Sequence, residues 1–117
     1  IDNIREMFSS GLVDFQAHTH NHVKLPKYSE EVAREEILKS RDEVEKILDK
    51  KCLYFAYPYG QHSGPLQEIL KENNFRLAFT TQKGFVNFDS NRLSLPRYSV
   101  DSYTNKARFI SILRHGL

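Results

Sequence analysis

Three of the chain's five histidines fall within five residues, in His18-Thr19-His20-Asn21-His22. His18 and His22 stand four apart, so one helical turn would bring both imidazoles to one side. Neutral imidazole is the commonest protein ligand for zinc and related divalent ions, which makes the pair a candidate metal site. The same composition also fits a solvated, histidine-rich loop. A second cluster, Phe55-Ala56-Tyr57-Pro58-Tyr59-Gly60, closes an apolar run. A Pro-Tyr-Gly turn fixes the backbone and can aim a main-chain N–H into a site, the kind of donor that amide hydrolysis needs for a developing oxyanion. Such turns are common, and alone this one has little specificity.

The elements that must hold these clusters follow from periodicity. Ile4, Met7 and Phe8 recur at helical spacing, with Gly11 as a stop. Residues 12–17 read as a strand leading into His18. Ser29 can cap a long helix ahead of Glu30 and Glu31, with an apolar stripe of Ala33, Ile37, Val44, Ile47 and Leu48. Residues 52–56 form a short uncharged run, expected as a buried strand. A Pro/Gly loop over 57–64 leads to a short helix with Pro65 at its first position, burying Leu66, Ile69 and Leu70 and ending at Asn73-Asn74. Residues 75–80 are a third strand. A turn at Lys83-Gly84, a strand over 85–88, an extended stretch over 93–100 and a last helix with Phe109, Ile112 and Leu113 complete the chain. Strands alternating with helices predict an α/β class, a mainly parallel sheet with crossover helices. Ligands in such folds sit at the C-terminal ends of the strands, where the histidine-rich and glycine-rich loops fall.

At 117 residues, 39% hydrophobic and 27% charged, the chain is one domain at most, with a modest core. A net charge of +2 with both signs interspersed excludes a nucleic-acid surface. The single cysteine, Cys52, excludes an internal disulfide and a multi-cysteine zinc site, and reads as a buried small hydrophobe. No run approaches the ~18 apolar residues of a membrane span. The chain opens on Ile1 rather than Met, which suggests a processed or truncated N-terminus, so a missing signal peptide does not decide the compartment.

Taken together the two clusters resemble the polysaccharide deacetylases of the NodB-homology superfamily. Asp14-Phe15-Gln16-Ala17-His18-Thr19-His20-Asn21-His22 is similar to that family's second motif, a strand ending in His-Ser/Thr-x-x-His. Tyr57-Pro58-Tyr59-Gly60 is similar to the third, usually Arg-x-Pro-Tyr/Phe-Gly. Leu95-Pro96-Arg97-Tyr98-Ser99-Val100, after Ala78-Phe79-Thr80-Thr81 and Gly84-Phe85-Val86-Asn87, resembles the end of the Gram-positive, intercellular-adhesin-like branch. The resemblance covers residues 1–117 as the C-terminal portion of a single catalytic domain, and implies a partial or distorted (β/α) barrel. It implies that His18 and His22 ligate a divalent metal, with zinc the first expectation, and that Thr19 braces their loop. Tyr59 would supply the oxyanion-hole N–H, with Tyr57, Pro58 and Gly60 lining the substrate site. His62 lies near that site and is carried as a substrate contact, although no family role matches it. The implied reaction removes N-acetyl groups from an N-acetylglucosamine-containing polysaccharide through metal-activated water, outside the cell or at its surface.

The sequence also departs from the family. The first motif, Thr-Phe-Asp-Asp, which supplies the third ligand and the general base, is absent. Asp14 cannot replace it on an extended strand, because four residues at ~3.3 Å each put it roughly 13 Å from His18. Asp89 and Asp101 match no motif, so the aspartates are expected upstream of Ile1. Ala56 stands where the family often has an arginine. His115 superficially matches a Leu-x-His acid motif, but the chain has no Trp, and a fraying helix end is the expectation. A degenerate glycan-binding module without turnover, or an unrelated metal-dependent amidohydrolase, are the competing readings. On the preferred one the chain binds zinc weakly, and an apolar flank left open by missing strands favours self-association.

Overall fold

The computed structural model describes residues 1–116. Helix α1 spans Asp2–Ser9, and Gly11 follows in the left-handed region at φ 73°. Helix α2 spans Glu30–Leu48 and starts for the expected reason: the Ser29 hydroxyl accepts the Val32 N–H at 3.4 Å, with Glu30 and Glu31 in the first turn. Ala33, Ile37 and Leu48 of its stripe are buried, with Val44 packed at the margin. Ser40 joins them by donating its hydroxyl to Ile37 O at 2.9 Å, so no polar atom is stranded.

Strands β1, Tyr54–Ala56, and β2, Leu77–Phe79, pair in parallel with Phe55 opposite Ala78. Helix α3, Gly64–Glu72, makes the crossover between them. Its N-cap is Ser63, which moves Pro65 to the second residue of the helix rather than the first. Leu66, Ile69 and Leu70 are buried as expected, with Asn73 as the C-cap. They pack with Ala33 and Ile37 of α2 against the face of the sheet that carries Phe55 and Ala78. The opposite face, Tyr54, Ala56, Leu77 and Phe79, is half-buried.

Two of the expected strands are not strands. Residues 12–17 touch the sheet through one bridge, Ala17 to Phe55, because the Gln16 side chain takes the N–H groups of Leu53 and Tyr54 at 3.1 and 3.0 Å. Residues 85–88 are diverted by local side-chain bonds: Asn87 N–H donates to Ser90 Oγ, and Asn87 Oδ1 accepts from Asp89 N–H. That turn falls at Phe88-Asp89, not at Lys83-Gly84. The stretch expected to be extended, 93–100, begins in a turn and touches the sheet through one bridge, Phe79 to Leu95. The fold is thus a small α/β unit with a short parallel sheet, flanked by one bridging segment on each side. The described residues do not close a barrel.

Helix α4, Lys106–His115, is capped by Asn105 and ended by Gly116 in the left-handed region, and it buries Ile112 while Phe109 and Leu113 stay exposed. Exposed Phe88 and Val86 border a cavity of about 820 Å³ lined also by Leu77, Phe79 and Leu95, an open apolar flank. Among the described residues no helix is long and apolar enough to cross a membrane.

Lys50 ties the N-terminal segments to the body. Its ammonium pairs with the Asp14 carboxylate, donates to Phe15 O at 2.6 Å and lies 5.4 Å from the centre of the Phe8 ring. The hydrogen bond from Lys50 is the main reason that the Asp14 carboxyl sits below its ordinary 3.8, against a smaller opposing effect of burial. A carboxylate with a depressed folded pKa stabilises the fold above its unfolded pKa and loses that contribution as pH falls through the lower value. Lys50→Met is therefore expected to lower stability at neutral pH and to flatten the acid limb of a denaturant-monitored pH titration. Parallel acid limbs for both proteins would exclude the pair as a contributor.

Candidate active site

The two histidines converge, though not by a helical turn. The segment after Ala17 is irregular, and its direction is set by left-handed backbone at Thr19 and His22, φ 61° and 53°. The His18 and His22 ring centroids lie 4.9 Å apart, and the His22 ring lies 4.9 Å from that of Tyr59. Both histidines are exposed. His18 Nδ1 is 2.6 Å from Ala56 O. A carbonyl oxygen can only accept, so Nδ1 carries a proton, and in the neutral ring the lone pair is on Nε2. Fixing one imidazole nitrogen in this way is how proteins prepare the other to bind a metal. The donor set therefore fits part of a divalent-metal site. Among the described residues no third His, Cys, Asp or Glu joins the pair. Asp14 is occupied by Lys50 and Gln16, Asp89 lies in the turn at Phe88-Asp89, and Asp101 accepts from Thr104 and Tyr103 in its own turn.

Tyr59 sits in the turn Pro58–Gly60 with left-handed backbone, φ 58°. Its neighbours' N–H groups are engaged, Gly60 to Tyr57 O at 2.8 Å and Gln61 to Pro58 O at 3.3 Å. The Tyr59 N–H has no acceptor among the described residues. The residue is 53% exposed, with the Lys24 ammonium 4.8 Å from the centre of its ring. A free amide donor and an exposed aromatic face thus stand beside the histidine pair.

The four expected substrate contacts have other work. Tyr57 is 0% exposed: its ring packs edge-on against Phe55 at 5.3 Å, and its hydroxyl donates to Leu93 O at 2.8 Å. Burial pushes its phenol well above the ordinary range. Neither its side chain nor that of Pro58, which is also fully buried, presents a surface to a ligand. Gly60 is needed for close approach, since at φ 70° a Cβ would run into the backbone and side chain of Thr81. His62 packs on the Tyr57 ring at 5.6 Å and pairs with Gln67, and among the described residues it makes no hydrogen bond to His18, His22 or Tyr59. Thr19 is buried, but its hydroxyl has no partner among the described residues, so it does not brace the loop by hydrogen bonding. His115 is exposed in the last turn of α4. Burial raises the pKa of the Cys52 thiol, which is inert packing.

The loop is held instead from α2. Glu36 O accepts the His20 N–H at 3.1 Å, and the Glu36 carboxylate accepts Asn21 N–H at 2.8 Å and Asn21 Nδ2 at 2.7 Å. His20 turns from its neighbours onto Glu43, 3.2 Å away. Glu36 is fifteen residues from Asn21, a separation without periodicity, so no sequence signal marks this contact.

A parallel α/β sheet with a histidine pair and a Pro-Tyr-Gly turn at the ends of adjacent segments defines a class. The sequence pattern of the family described as "Polysaccharide deacetylase" matches residues 1–78, and the chain belongs to that family. Among relatives, it is 32% identical over 105 residues to a poly-beta-1,6-N-acetyl-D-glucosamine N-deacetylase of Staphylococcus epidermidis, covering 83% of this chain and 36% of that protein. The Streptococcus pyogenes deacetylase PplD, solved in complex with acetate, superimposes with a TM-score of 0.88 at 28% identity, over 94% of this chain and 48% of that one. A polysaccharide deacetylase from Bacillus cereus gives 0.86 at 29% identity, over 97% and 36%. The chain spans about a third of the length of the curated relatives it matches.

The division between Tyr57 and Tyr59 is testable. Tyr57→Phe removes the hydrogen bond to the part-buried Leu93 carbonyl and is expected to cost about 1 kcal/mol in denaturant titration. Tyr59→Ala removes a half-exposed side chain that makes no such bond among the described residues and is expected to cost less. A loss of equal size in the two variants would show that the tyrosines are not divided in this way.

Proposed function

We propose that this chain is the histidine-bearing part of a metal-dependent de-N-acetylase acting on an N-acetylglucosamine-containing polysaccharide, extracellular or at the cell surface. The observation that carries the reading is the His18–His22 pair, with the His18 tautomer fixed by Ala56 O and the free Tyr59 N–H alongside. His18 and His22 would hold the metal, with zinc the first choice for paired imidazoles. When bound, a divalent ion lowers the pKa of water and polarises a carbonyl.

The chain's own residues do the rest of what is assigned here. His18 offers Nε2 because Nδ1 is tied down. Tyr59 N–H donates to the oxygen of the N-acetyl carbonyl as negative charge develops on it. The exposed Tyr59 ring offers a sugar a flat apolar face. A general base and a third ligand come, on this reading, from a carboxylate pair outside residues 1–117. The half-buried sheet face and the apolar flank near Phe88 fit a unit that is one portion of a larger (β/α) barrel, and in isolation that flank favours self-association.

The lack of a third ligand among the described residues favours one rival, a glycan-binding module without turnover. Acetate release separates the two. A missing general base removes about 10² to 10⁴-fold in rate, so this chain alone is expected to release no measurable acetate from N-acetylglucosamine oligomers. A longer protein carrying Thr-Phe-Asp-Asp upstream should release it, should lose activity to a chelator, and should be inactive as His22→Ala. An inactive, metal-replete longer protein that still binds the oligomers would establish the binding module. His18→Ala should abolish what zinc binding this chain shows by calorimetry, and unchanged affinity would remove His18 from the site.

A further inference from the structure

Between Ala17 and Leu25 the chain has no regular structure, yet it must hold His22 in a left-handed conformation that an L-residue adopts at a cost. Such backbone persists where its surroundings over-determine it. The residue before His22 is Asn21, and both of its amide donors close on one carboxylate, N–H on Glu36 Oε2 at 2.8 Å and Nδ2 on Glu36 Oε1 at 2.7 Å. A two-point contact fixes the plane and the rotation of the group it grips, which a single bond does not. The preceding peptide is held by the same residue, since His20 N–H donates to Glu36 O at 3.1 Å. Glu36 is itself immobilised, because it is half-buried on α2 and precedes Ile37, a fully buried core residue.

We infer that Glu36 is the positioning residue for His22: its carboxylate clamps Asn21 and so sets the direction in which the second imidazole leaves the loop. The inference rests on the reading of His18 and His22 as metal ligands, and assigns to α2 a part in the site that no motif marks. The chemistry demands a carboxylate. Both contacts come from donors, so both atoms of the gripping group must accept. Glutamine, of the same shape, would turn an N–H₂ toward one of them. Glu43, two turns along the same helix, reaches the half-buried ring of His20 and makes no hydrogen bond to Asn21 or His22 among the described residues. The buried hydroxyl of Thr19 has no partner among the described residues and supplies no substitute restraint.

Glu36→Gln in the 117-residue chain tests this, with Glu43→Gln as the control. Three quantities are read: exchange protection of the Asn21 amide, the NMR positions of the His22 ring protons, and calorimetric affinity for zinc alone. In Glu36→Gln the Asn21 amide is expected to lose protection, and the His22 signals to move away from positions shaped by the His18 and Tyr59 rings. Zinc affinity should fall about tenfold, the lower end of the loss typical when support behind a ligand is removed. Glu43→Gln should leave all three unchanged. Unaltered His22 signals in Glu36→Gln overturn the inference, as does an equal loss in Glu43→Gln. Should Glu36→Gln fail to fold, Asn21→Ala removes one arm of the clamp from the exposed side, and unshifted His22 signals there overturn it equally. If the parent chain takes up no zinc, the metal reading fails, while the ring signals still decide the clamp.

Discussion

Ala56 makes two hydrogen bonds on which the site depends. Its N–H donates to Ala17 O at 3.1 Å, and its C=O accepts the His18 imidazole at 2.6 Å. Both follow from a register in which Ala17, Phe55 and Ala78 stand abreast and all three turn toward the helices. Side chains on strands alternate, so a slip of one residue would expel Phe55 from the core and carry the Ala56 carbonyl away from His18. The packing of an aromatic ring against α2 and α3 thereby fixes the tautomer of a candidate ligand on the far side of the same strand. Stability and chemistry are joined here by geometry rather than by proximity.

The helices were legible because their signals are local. Ser29 caps where it was expected to, and the stripes of α2 and α3 bury at helical spacing. Residues 12–17 misled because a β-like pattern says nothing about whether a side chain will take the partner's N–H groups first, as Gln16 does. Residues 85–88 misled for a related reason, since Asn87 and Ser90 offered the backbone a nearer partner than any strand. Local competition of this kind is written in residue identity, not in hydrophobic period.

Within the site, the histidines and the Pro-Tyr-Gly turn were identifiable by type, but their roles were not separable by motif alone. Tyr57 follows Phe55 at strand period, and that parity places it in the core, a cue available in the sequence. Tyr59, two residues on, escapes because the turn reverses the chain. The Pro-Tyr-Gly turn was legible, but the left-handed backbone at Thr19, His22 and Tyr59 was not, because it occurs without glycine. The contact from Glu36 to Asn21 is equally silent, joining a helix face to a loop at a separation that no periodicity predicts.

Those three left-handed residues have a consequence for how the loops meet a guest. Each holds a backbone conformation that costs roughly 1–3 kcal/mol in isolation, a cost already incurred when the chain folds. Little conformational freedom is then left to surrender on association, which removes one of the larger penalties that recognition by loops usually carries. The same strain narrows the residues that drift can place there. Asparagine and glycine would sit comfortably at position 19, whereas further β-branched substitutes would inherit the strain that threonine already bears.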